Sequence, residues 1–390
     1  MNNDEDFYDL SDKFCERPFT YMEILVNDKN SELFESFACC YDILPVAVGS
    51  VNDSSIEQIW NSEKYQAIRK SIHDGTYEYC KIAGCPKIQN NELHSKKNPP
   101  QEFKEIIKLK KTVIEKGPKI LNLGYDHSCN LACPSCRTDF ITKPLSKNIE
   151  VAHQKVEDYL KKNKTKVLVC SSGDPFQSRY FTNLLKDFND RSHPNIDLHI
   201  VTNGVLLTPK LWDSYYNLHQ KINHLSVSID AATEPTYNKI RVGGNFSQVL
   251  TNVRHIVENN KNPNLFIQLD FVVQENNFFE MADFVRLGKE LKVQKVFFQR
   301  ISNWGTFSSS EFEKKAIYHK NHPLHPQFLE HLKDDIFNDP IVNLGNLSSY
   351  KTNKVKRSTP KPKFNLKNAI LHTIDNRIIE IKGLWQSLTK

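Results

Sequence analysis

The chain has 390 residues, 39% of them hydrophobic and 11% aromatic, and it carries a formal net charge of +6. This composition is typical of a globular protein with a substantial core and differs from that of a disordered chain. The charge excess is too small to indicate nucleic-acid binding by itself. No apolar run is long enough for a membrane span, and the acidic, polar N-terminus is unlike a signal peptide. We therefore expect a cytoplasmic protein.

Nine cysteines are present, an odd number that argues against a closed set of disulfides. Eight of them fall into two groups, and only Cys170 stands alone, inside an apolar run where we expect a core residue. In a reducing compartment, grouped cysteines more often hold metal than form bridges. The groups are Cys15, Cys39, Cys40, Cys80 and Cys85, and Cys129, Cys133 and Cys136.

The first segment, residues 1–100, shows no regular alternation of elements apart from an expected helix within SSIEQIWNSEKYQAIRKSI. It ends in HSKKNPP, and such a Lys-, Asn- and Pro-rich stretch indicates a boundary between domains. We therefore expect a small cysteine-rich domain over 1–100.

The second segment, residues 101–305, contains six β-rich runs that alternate with stretches of helix length, a pattern that predicts parallel β-α-β units. After the third run, Thr208 and Pro209 predict the start of a helix, as cap and first helical residue. The pattern fits an open doubly wound sheet or a partial barrel. The runs are KILNLGYD, KVLVCSSG, DLHIVTNG, HLSVSID, LFIQLDFVVQ and KVFFQRIS.

The last segment, residues 306–390, is expected to be a C-terminal extension, because the alternation stops there. Its sequence predicts a Ser-capped helix in SSSEFEKKAI, a basic linker over 351–367 and a terminal helix in IIEIKGLWQSL.

The first predicted strand is followed directly by CNLACPSC, in which Cys129, Cys133 and Cys136 have the spacing C-x3-C-x2-C. Three thiolates on one short loop can bind three irons of a cubane cluster and leave the fourth iron open to a small molecule. A zinc knuckle that uses His127 as a further ligand and a chance spacing are the alternatives.

This loop at the end of the first strand resembles the signature of the radical S-adenosylmethionine (SAM) superfamily. The resemblance implies a partial (β/α)6 TIM-like barrel over 101–305 and so favours the barrel over the open sheet. It also implies a [4Fe–4S] cluster whose open iron binds SAM, reductive cleavage of SAM to a 5′-deoxyadenosyl radical, and hydrogen abstraction from a substrate C–H bond. A reductant protein such as flavodoxin or ferredoxin is expected to supply the electron.

Further motifs follow the strands in the order expected of this family. SSGDPF resembles the Gly-Gly-Glu motif that contacts the SAM amino group: Gly173 matches, Ser172 replaces the first glycine, and Asp174 replaces the glutamate. Arg241 in NKIRVGG resembles an arginine that binds the SAM carboxylate, for which a guanidinium is well shaped. Taken alone, SVSID also fits a strand end with a helix cap. The expected SAM contacts are Gly173, Asp174, Asn203, Ser228, Asp230 and Arg241.

The N-terminal cysteines and the residues between them resemble the SPASM or Twitch modules of radical SAM enzymes, although those usually follow the barrel. The resemblance implies a second, auxiliary [4Fe–4S] cluster, and a fully ligated cluster of this kind indicates electron transfer and an oxidative reaction. A structural zinc site with four cysteine ligands or unligated core thiols would also explain these residues. The expected ligands are Cys15, Cys39, Cys80 and Cys85, with Cys40 competing with Cys39.

Together, these features predict a radical SAM oxidoreductase-type enzyme that acts on a small molecule such as a sugar or an amino alcohol. A second hypothesis is a maturase that crosslinks or epimerises a ribosomal peptide. A third is an iron–sulfur protein that binds SAM or nucleic acid without turnover; only the basic linker supports it, and a solvated flexible linker explains that composition better.

Overall fold

The fold was analysed in a computed structural model. The structure describes residues 8–27, 29–163, 165, 167–188 and 196–351. The described residues from 10 to 351 belong to one compact unit. The terminal helix expected in IIEIKGLWQSL and all of the expected basic linker except Lys351 lie outside the described residues.

The described residues form twelve β-strands, most of which belong to one sheet. In chain order they are β1 Lys13–Phe14, β2 Tyr21–Val26, β3 Phe34–Phe37, β4 Ala47–Ser50, β5 His94–Ser95, β6 Ile120–Gly124, β7 Val167–Cys170, β8 Asp197–Thr202, β9 Ile222–Ser228, β10 Phe266–Val273, β11 Lys295–Arg300 and β12 Val342–Asn343.

The same ranges contain fourteen α-helices: α1 Arg17–Thr20, α2 Ile56–Trp60, α3 Glu63–Asp74, α4 Pro86–Gln89, α5 Lys104–Lys108, α6 Ile149–Lys162, α7 Arg179–Asp187, α8 Pro209–Ser214, α9 Glu234–Ile240, α10 Phe246–Asn259, α11 Met281–Glu290, α12 Ser309–Lys315, α13 His325–His331 and α14 Ser348–Lys351. Short 3-10 helices span Ile82–Gly84, Gln101–Phe103, Tyr216–Leu218, Phe278–Glu280, Asp335–Asn338 and Gly345–Leu347.

The main sheet has the strand order β12-β11-β10-β9-β8-β7-β6-β2-β3-β4. Strands β6 to β11 are neighbours in chain order, and every pair among them is parallel. They coincide with the six predicted runs, so the predicted β-α-β alternation is confirmed. The sheet ends at β12 and β4 without closing, and the protein therefore has the partial TIM-like barrel that was expected.

The two faces of the barrel strands differ, because successive side chains of a strand point to opposite faces. One face packs against the helices and is almost free of solvent: Leu123, Cys170, Ile200, Leu225 and Ile267 are all at most 2% exposed. Cys170 is thus a core residue, as its apolar surroundings predicted. The positions between these residues form the interior face of the barrel.

The first hundred residues are more regular than expected. Strands β2, β3 and β4 extend the barrel sheet, with β2 parallel to β6 and β3 antiparallel to both β2 and β4. The run YMEILV is buried on both faces, so it lacks the alternation that identifies a half-exposed strand. The single helix expected in this segment is two helices, α2 and α3. The Ser62 hydroxyl caps α3 by accepting the Tyr65 N–H.

Two helix starts predicted from the sequence are confirmed. Thr208 caps α8 with Pro209 next to it, and Ser308 forms a capping box with Glu311 at the start of α12. The alternation does not stop fully after 306, because β12 adds a short strand parallel to β11. No helix in the described parts of the chain combines the length and the apolar character that crossing a bilayer requires.

Arg69 in α3 is fully buried and joins three segments of the N-terminal region. Its guanidinium donates hydrogen bonds to the Pro18 carbonyl (2.8 Å), the Asn61 side chain (2.8 Å) and the Thr112 carbonyl (2.7 Å). Arg69→Met leaves these buried acceptors without their donor, so we expect a loss of about 2–4 kcal/mol in the free energy of unfolding. Urea denaturation followed by circular dichroism measures this loss.

The neighbouring Lys70 provides the control, because its side chain is 71% exposed and its ion pair with Asp74 lies on the surface. Lys70→Met is expected to leave the denaturation midpoint unchanged. Equal midpoints for the two variants would contradict the assigned role of Arg69.

Candidate active site

The cysteine loop at the carboxyl end of β6 is held by backbone hydrogen bonds to two other segments. The Cys129 N–H donates to the Ile141 carbonyl (2.6 Å), and the Ala132 N–H donates to the Val242 carbonyl (3.0 Å). Cys129 is buried, whereas Cys136, at the other end of the motif, is exposed. The three thiols of the motif therefore lie on one loop that passes from the interior to the surface.

Each of these three sulfurs receives an N–H from a different side chain. Such donors, two of them guanidinium groups, stabilise the thiolate form that binds iron. Burial raises the pKa of the Cys133 thiol, and the charge of Arg241 opposes this effect. The donor set therefore fits an iron–sulfur cluster with three cysteine ligands. The pairs and their N···S distances are Arg137–Cys136, 3.3 Å, Arg241–Cys133, 3.8 Å, and Asn203–Cys129, 3.7 Å.

Asp126, which the sequence analysis did not select, shapes the start of the loop. Its side chain is buried, with Oδ1 accepting from the Ser128 N–H (2.9 Å) and hydroxyl (2.7 Å). Its Oδ2 accepts from the Ser178 hydroxyl (2.5 Å), which also caps α7. The available signal was an acidic residue directly after the first strand, but its partner Ser178 is distant in the sequence.

Gly173 allows the loop after β7 to approach the cysteine loop closely. It has a φ of +58°, and a Cβ at this position would lie 2.3 Å from the Ser128 carbonyl oxygen. The next N–H, that of Asp174, donates to the same oxygen (2.8 Å). Glycine is needed here both for the positive φ and for the space.

The Asp174 carboxylate is fully buried and joins the ends of neighbouring strands. It accepts hydrogen bonds from the Thr202 hydroxyl (2.7 Å), the Asn203 N–H (2.9 Å) and the Phe176 N–H (3.0 Å). Burial raises the pKa of Asp174, and these hydrogen bonds oppose the rise. Because Asn203 in turn contacts Cys129, the Asp174 carboxylate helps to hold the cysteine loop in place.

Asp230 and Arg241 form a buried ion pair, with 2.8 Å between Oδ2 and Nη2. Asp230 has a φ of +61° and also accepts the Val272 N–H (2.7 Å). Burial disfavours the charged guanidinium, but Asp230 and Cys133 outweigh this effect and raise the pKa of Arg241. The buried Arg241 Nε–H has no partner within the described residues, so one donor remains available beside the cysteine loop.

Eight of the nine residues expected around SAM and its cluster are thus linked directly or through one another. They are Cys129, Cys133, Gly173, Asp174, Asn203 and the Asp230–Arg241 pair, while Cys136 is reached through Arg137. Ser228 is half-buried at the end of β9, and its side chain forms no hydrogen bond with the described residues.

The N-terminal cysteines also come together. The thiols of Cys15, Cys39, Cys80 and Cys85 act on one another electrostatically, whereas Cys40 is exposed. Burial raises the pKa of Cys15 and Cys80 to about 12, so an uncompensated thiolate is disfavoured there. This grouping fits one cluster with four cysteine ligands, and Cys40, which also acts on Cys39 electrostatically, stays an alternative to Cys39 as the fourth ligand.

A site for a single metal ion needs several ligand side chains close to one point. Within the described ranges, no three His, Cys, Asp or Glu side chains are arranged closely enough to hold one metal ion. A cubane keeps its ligands further apart, because each thiolate binds a different iron.

The interior face of the barrel carries a polar network near β2. Asn122 Nδ2 donates to Glu23 Oε1 (2.7 Å) and to the Tyr21 hydroxyl (2.9 Å), and the Ser171 hydroxyl donates to Asn122 Oδ1 (2.6 Å). Burial raises the pKa of Glu23 to about 7. The N-terminal region thus contributes side chains to the barrel interior.

Further polar groups lie on the same face of the following strands. His199 and His224 stack with 3.9 Å between ring centroids, and His199 contacts the Ser226 hydroxyl. Asp270 on β10 has its pKa raised to about 7, mainly by burial and also by Asp230. Sequence reasoning missed these residues, because a polar residue inside a strand does not reveal which face it occupies.

Comparison with known families agrees with this site. Residues 127–287 match the family model of the radical SAM superfamily, and residues 15–86 match that of the SPASM iron–sulfur cluster-binding domain. The fold and site thus define a radical SAM protein. More particularly, the chain carries a SPASM domain ahead of its radical SAM domain, and its cofactors are a SAM-binding [4Fe–4S] cluster, an auxiliary iron–sulfur cluster and SAM.

Several solved structures are similar to the chain. TYW1 with a lysine-pyruvate adduct bound has 18% identity over 54% of this chain and 70% of that chain, with a TM-score of 0.37. anSMEcpe with bound AdoMet has 18% identity over 56% of this chain and 61% of that chain, with a TM-score of 0.40. Streptococcus suis SuiB bound to precursor peptide SuiA has 15% identity over 75% of this chain and 66% of that chain, with a TM-score of 0.44. The chain thus spans 61–70% of the length of these three. A search of curated proteins found no match.

The position of Gly173 leads to a test of the cysteine loop. In Gly173→Ala the new methyl group collides with the Ser128 carbonyl, so the loop must move and the three thiols lose their arrangement. We expect the barrel cluster to be lost and the iron content to fall to about half of the wild-type value. Iron analysis of anaerobically reconstituted protein measures this fall.

Gly305→Ala is the matched control, since Gly305 also has a positive φ (+90°) but has no atom within 4 Å of a Cβ. It carries the same backbone strain without the collision. Full iron content in both variants would show that the close approach at Gly173 is not needed for cluster binding.

Proposed function

We propose that the chain is an oxidative radical SAM enzyme with residues 1–100 as auxiliary-cluster domain, 101–305 as barrel and 306–390 as extension. The observation that carries the proposal is the difference between the two cysteine groups. One group has three thiols, each paired with its own N–H donor, and the other has four mutually interacting thiols. When bound, the cofactors supply a 5′-deoxyadenosyl radical for hydrogen abstraction and a one-electron acceptor for the substrate radical.

The barrel residues have different roles in binding SAM. Arg241 offers its unpartnered Nε–H and its charge to the SAM carboxylate, while Asp230 fixes the direction of the guanidinium. Asp174 has three protein donors and no exposed surface, so it contributes by holding Asn203 in place. Ser228, half-buried and without a partner among the described residues, is available to a ribose hydroxyl.

The interior face supports a small polar substrate such as a sugar or an amino alcohol. Hydroxyl and amino groups need buried partners, and Glu23, His199 and Asp270 supply them from strands β2, β8 and β10 of the same sheet. Oxidation of an alcohol also releases a proton. Asp270, whose pKa is about 7, is suited to accept it near neutral pH. A reductant protein such as flavodoxin or ferredoxin would deliver the electron for SAM cleavage.

Iron content tests the two-cluster assignment. The wild-type protein, reconstituted anaerobically, is expected to hold about eight irons, and Cys129→Ala/Cys133→Ala/Cys136→Ala about four, because each cubane needs its own thiolates. The zinc content is measured on the same samples. About four irons in the wild type, together with one zinc, would assign the N-terminal cysteines to zinc instead.

SAM cleavage separates the roles of the two cysteine groups. With dithionite and SAM, Cys133→Ala is expected to form no 5′-deoxyadenosine, whereas Cys15→Ala continues to form it, because only the barrel cluster contacts SAM. Cys170→Ala, which removes a core thiol, is the control for the loss of a cysteine. Chromatographic quantification of 5′-deoxyadenosine gives the rates, and equal activity of Cys133→Ala and Cys170→Ala would contradict the assignment.

A further inference from the structure

Arg17 lies directly beside the N-terminal cysteines. It is the first residue of α1, and its backbone N–H donates to the Cys15 sulfur. Its guanidinium stacks on the Tyr21 ring, 4.6 Å from the ring centroid. The thiols of Cys39 and Cys85 also interact electrostatically with this guanidinium. The charge of Arg17 therefore acts on at least three of the four thiols of the auxiliary group.

The charge of Arg17 is not neutralised by an ion pair. Among the described residues, its guanidinium has neither a salt bridge nor a side-chain hydrogen bond, although the residue is half-buried. The adjacent acid does not serve as its partner, because Glu16 pairs with Lys87 and lies 3.6 Å from His94. An anion bound beside this half-buried cation would be stabilised by its charge.

Arg17 is also linked to the interior of the barrel through Tyr21. The Tyr21 hydroxyl, on the ring under the guanidinium, accepts a hydrogen bond from Asn122 of the interior network. The Arg17 charge also acts on Glu23 and on His199 of that face. Arg17 thus lies between the auxiliary thiols and the polar interior of the barrel.

We propose that Arg17 is a positioning residue that raises the reduction potential of the auxiliary cluster and so makes it an electron acceptor for the substrate radical. The inference rests on the proposed function. A cluster with four thiolate ligands is an anion, and one added electron makes it more negative, so a fixed cation stabilises the reduced state more than the oxidised state. Nearby side chains are among the factors that set the potential of such clusters.

The electron balance of the step is simple. The substrate radical is oxidised by one electron, the auxiliary cluster is reduced by one electron, and the proton released from the substrate hydroxyl goes to the Asp270 carboxylate. Arg17 forms no bond in this step. Its guanidinium acts only through its charge, which favours the reduced cluster.

The test measures the midpoint potential of the auxiliary cluster by electron paramagnetic resonance during a redox titration. The triple variant Cys129→Ala/Cys133→Ala/Cys136→Ala is the parent protein, because it retains only the auxiliary cluster. We expect Arg17→Gln to lower the midpoint potential and Arg17→Lys, which keeps the charge, to restore most of it.

Arg300→Gln is the matched control, since Arg300 also lies near the N-terminal region, 3.4 Å from where a Cβ of Gly84 would be, and stacks on Tyr318. It removes one positive charge from the same region, so the shift for Arg17→Gln should be at least twice that for Arg300→Gln. A shift no larger than in this control, at unchanged iron content, overturns the inference.

Two other outcomes are decisive. If Arg17→Gln loses its iron while Arg17→Lys keeps it, the charge is needed for cluster assembly, and the inference about the potential falls. If the parent protein itself holds no iron, the proposed function fails, and this result is distinct from an unchanged potential.

Discussion

The site depends on hydrogen bonds that tie together the carboxyl ends of β6, β7 and β8. Asp174 connects them: its backbone N–H holds the Ser128 carbonyl of the cysteine loop, and its carboxylate holds Asn203, which reaches Cys129. A buried carboxylate with three donors is costly to disturb, because each donor would lose its partner without access to water. These hydrogen bonds therefore restrict the cysteine loop, and this lowers the entropic cost of ordering it when a cofactor binds.

A second constraint comes from charge in a region with little water. The Asp230–Arg241 pair lies next to Cys133, and each member neutralises a charge that would be unfavourable alone. An iron–sulfur cluster brings further negative charge to this place. The charged form of Arg241 is thus stabilised by both Asp230 and the Cys133 thiolate. For this reason Arg241 keeps its charge although it is buried.

Much of the fold followed from the sequence, since the six barrel strands and the capped helices have clear local signals. The cysteine spacing likewise predicted a cluster loop, because all of the expected ligands lie on one short segment. The strand nature of YMEILV was hidden because both of its faces are buried. Asp126, Asp270 and Arg17 were missed for a different reason: their significance comes from partners on other strands, which spacing along the chain does not reveal.

Strand β2 pairs with β6 from Tyr21↔Ile120 to Leu25↔Gly124, so the N-terminal region and the barrel share one continuous sheet. A protein shortened to the barrel alone would turn β6 into an outer strand with unpaired N–H and carbonyl groups along an apolar sequence. Such an edge is a template for intermolecular strand pairing and aggregation. The cysteine-rich region therefore covers the β6 edge of the barrel sheet, whatever its part in electron transfer. The two regions cannot be exchanged with those of other proteins as independent domains.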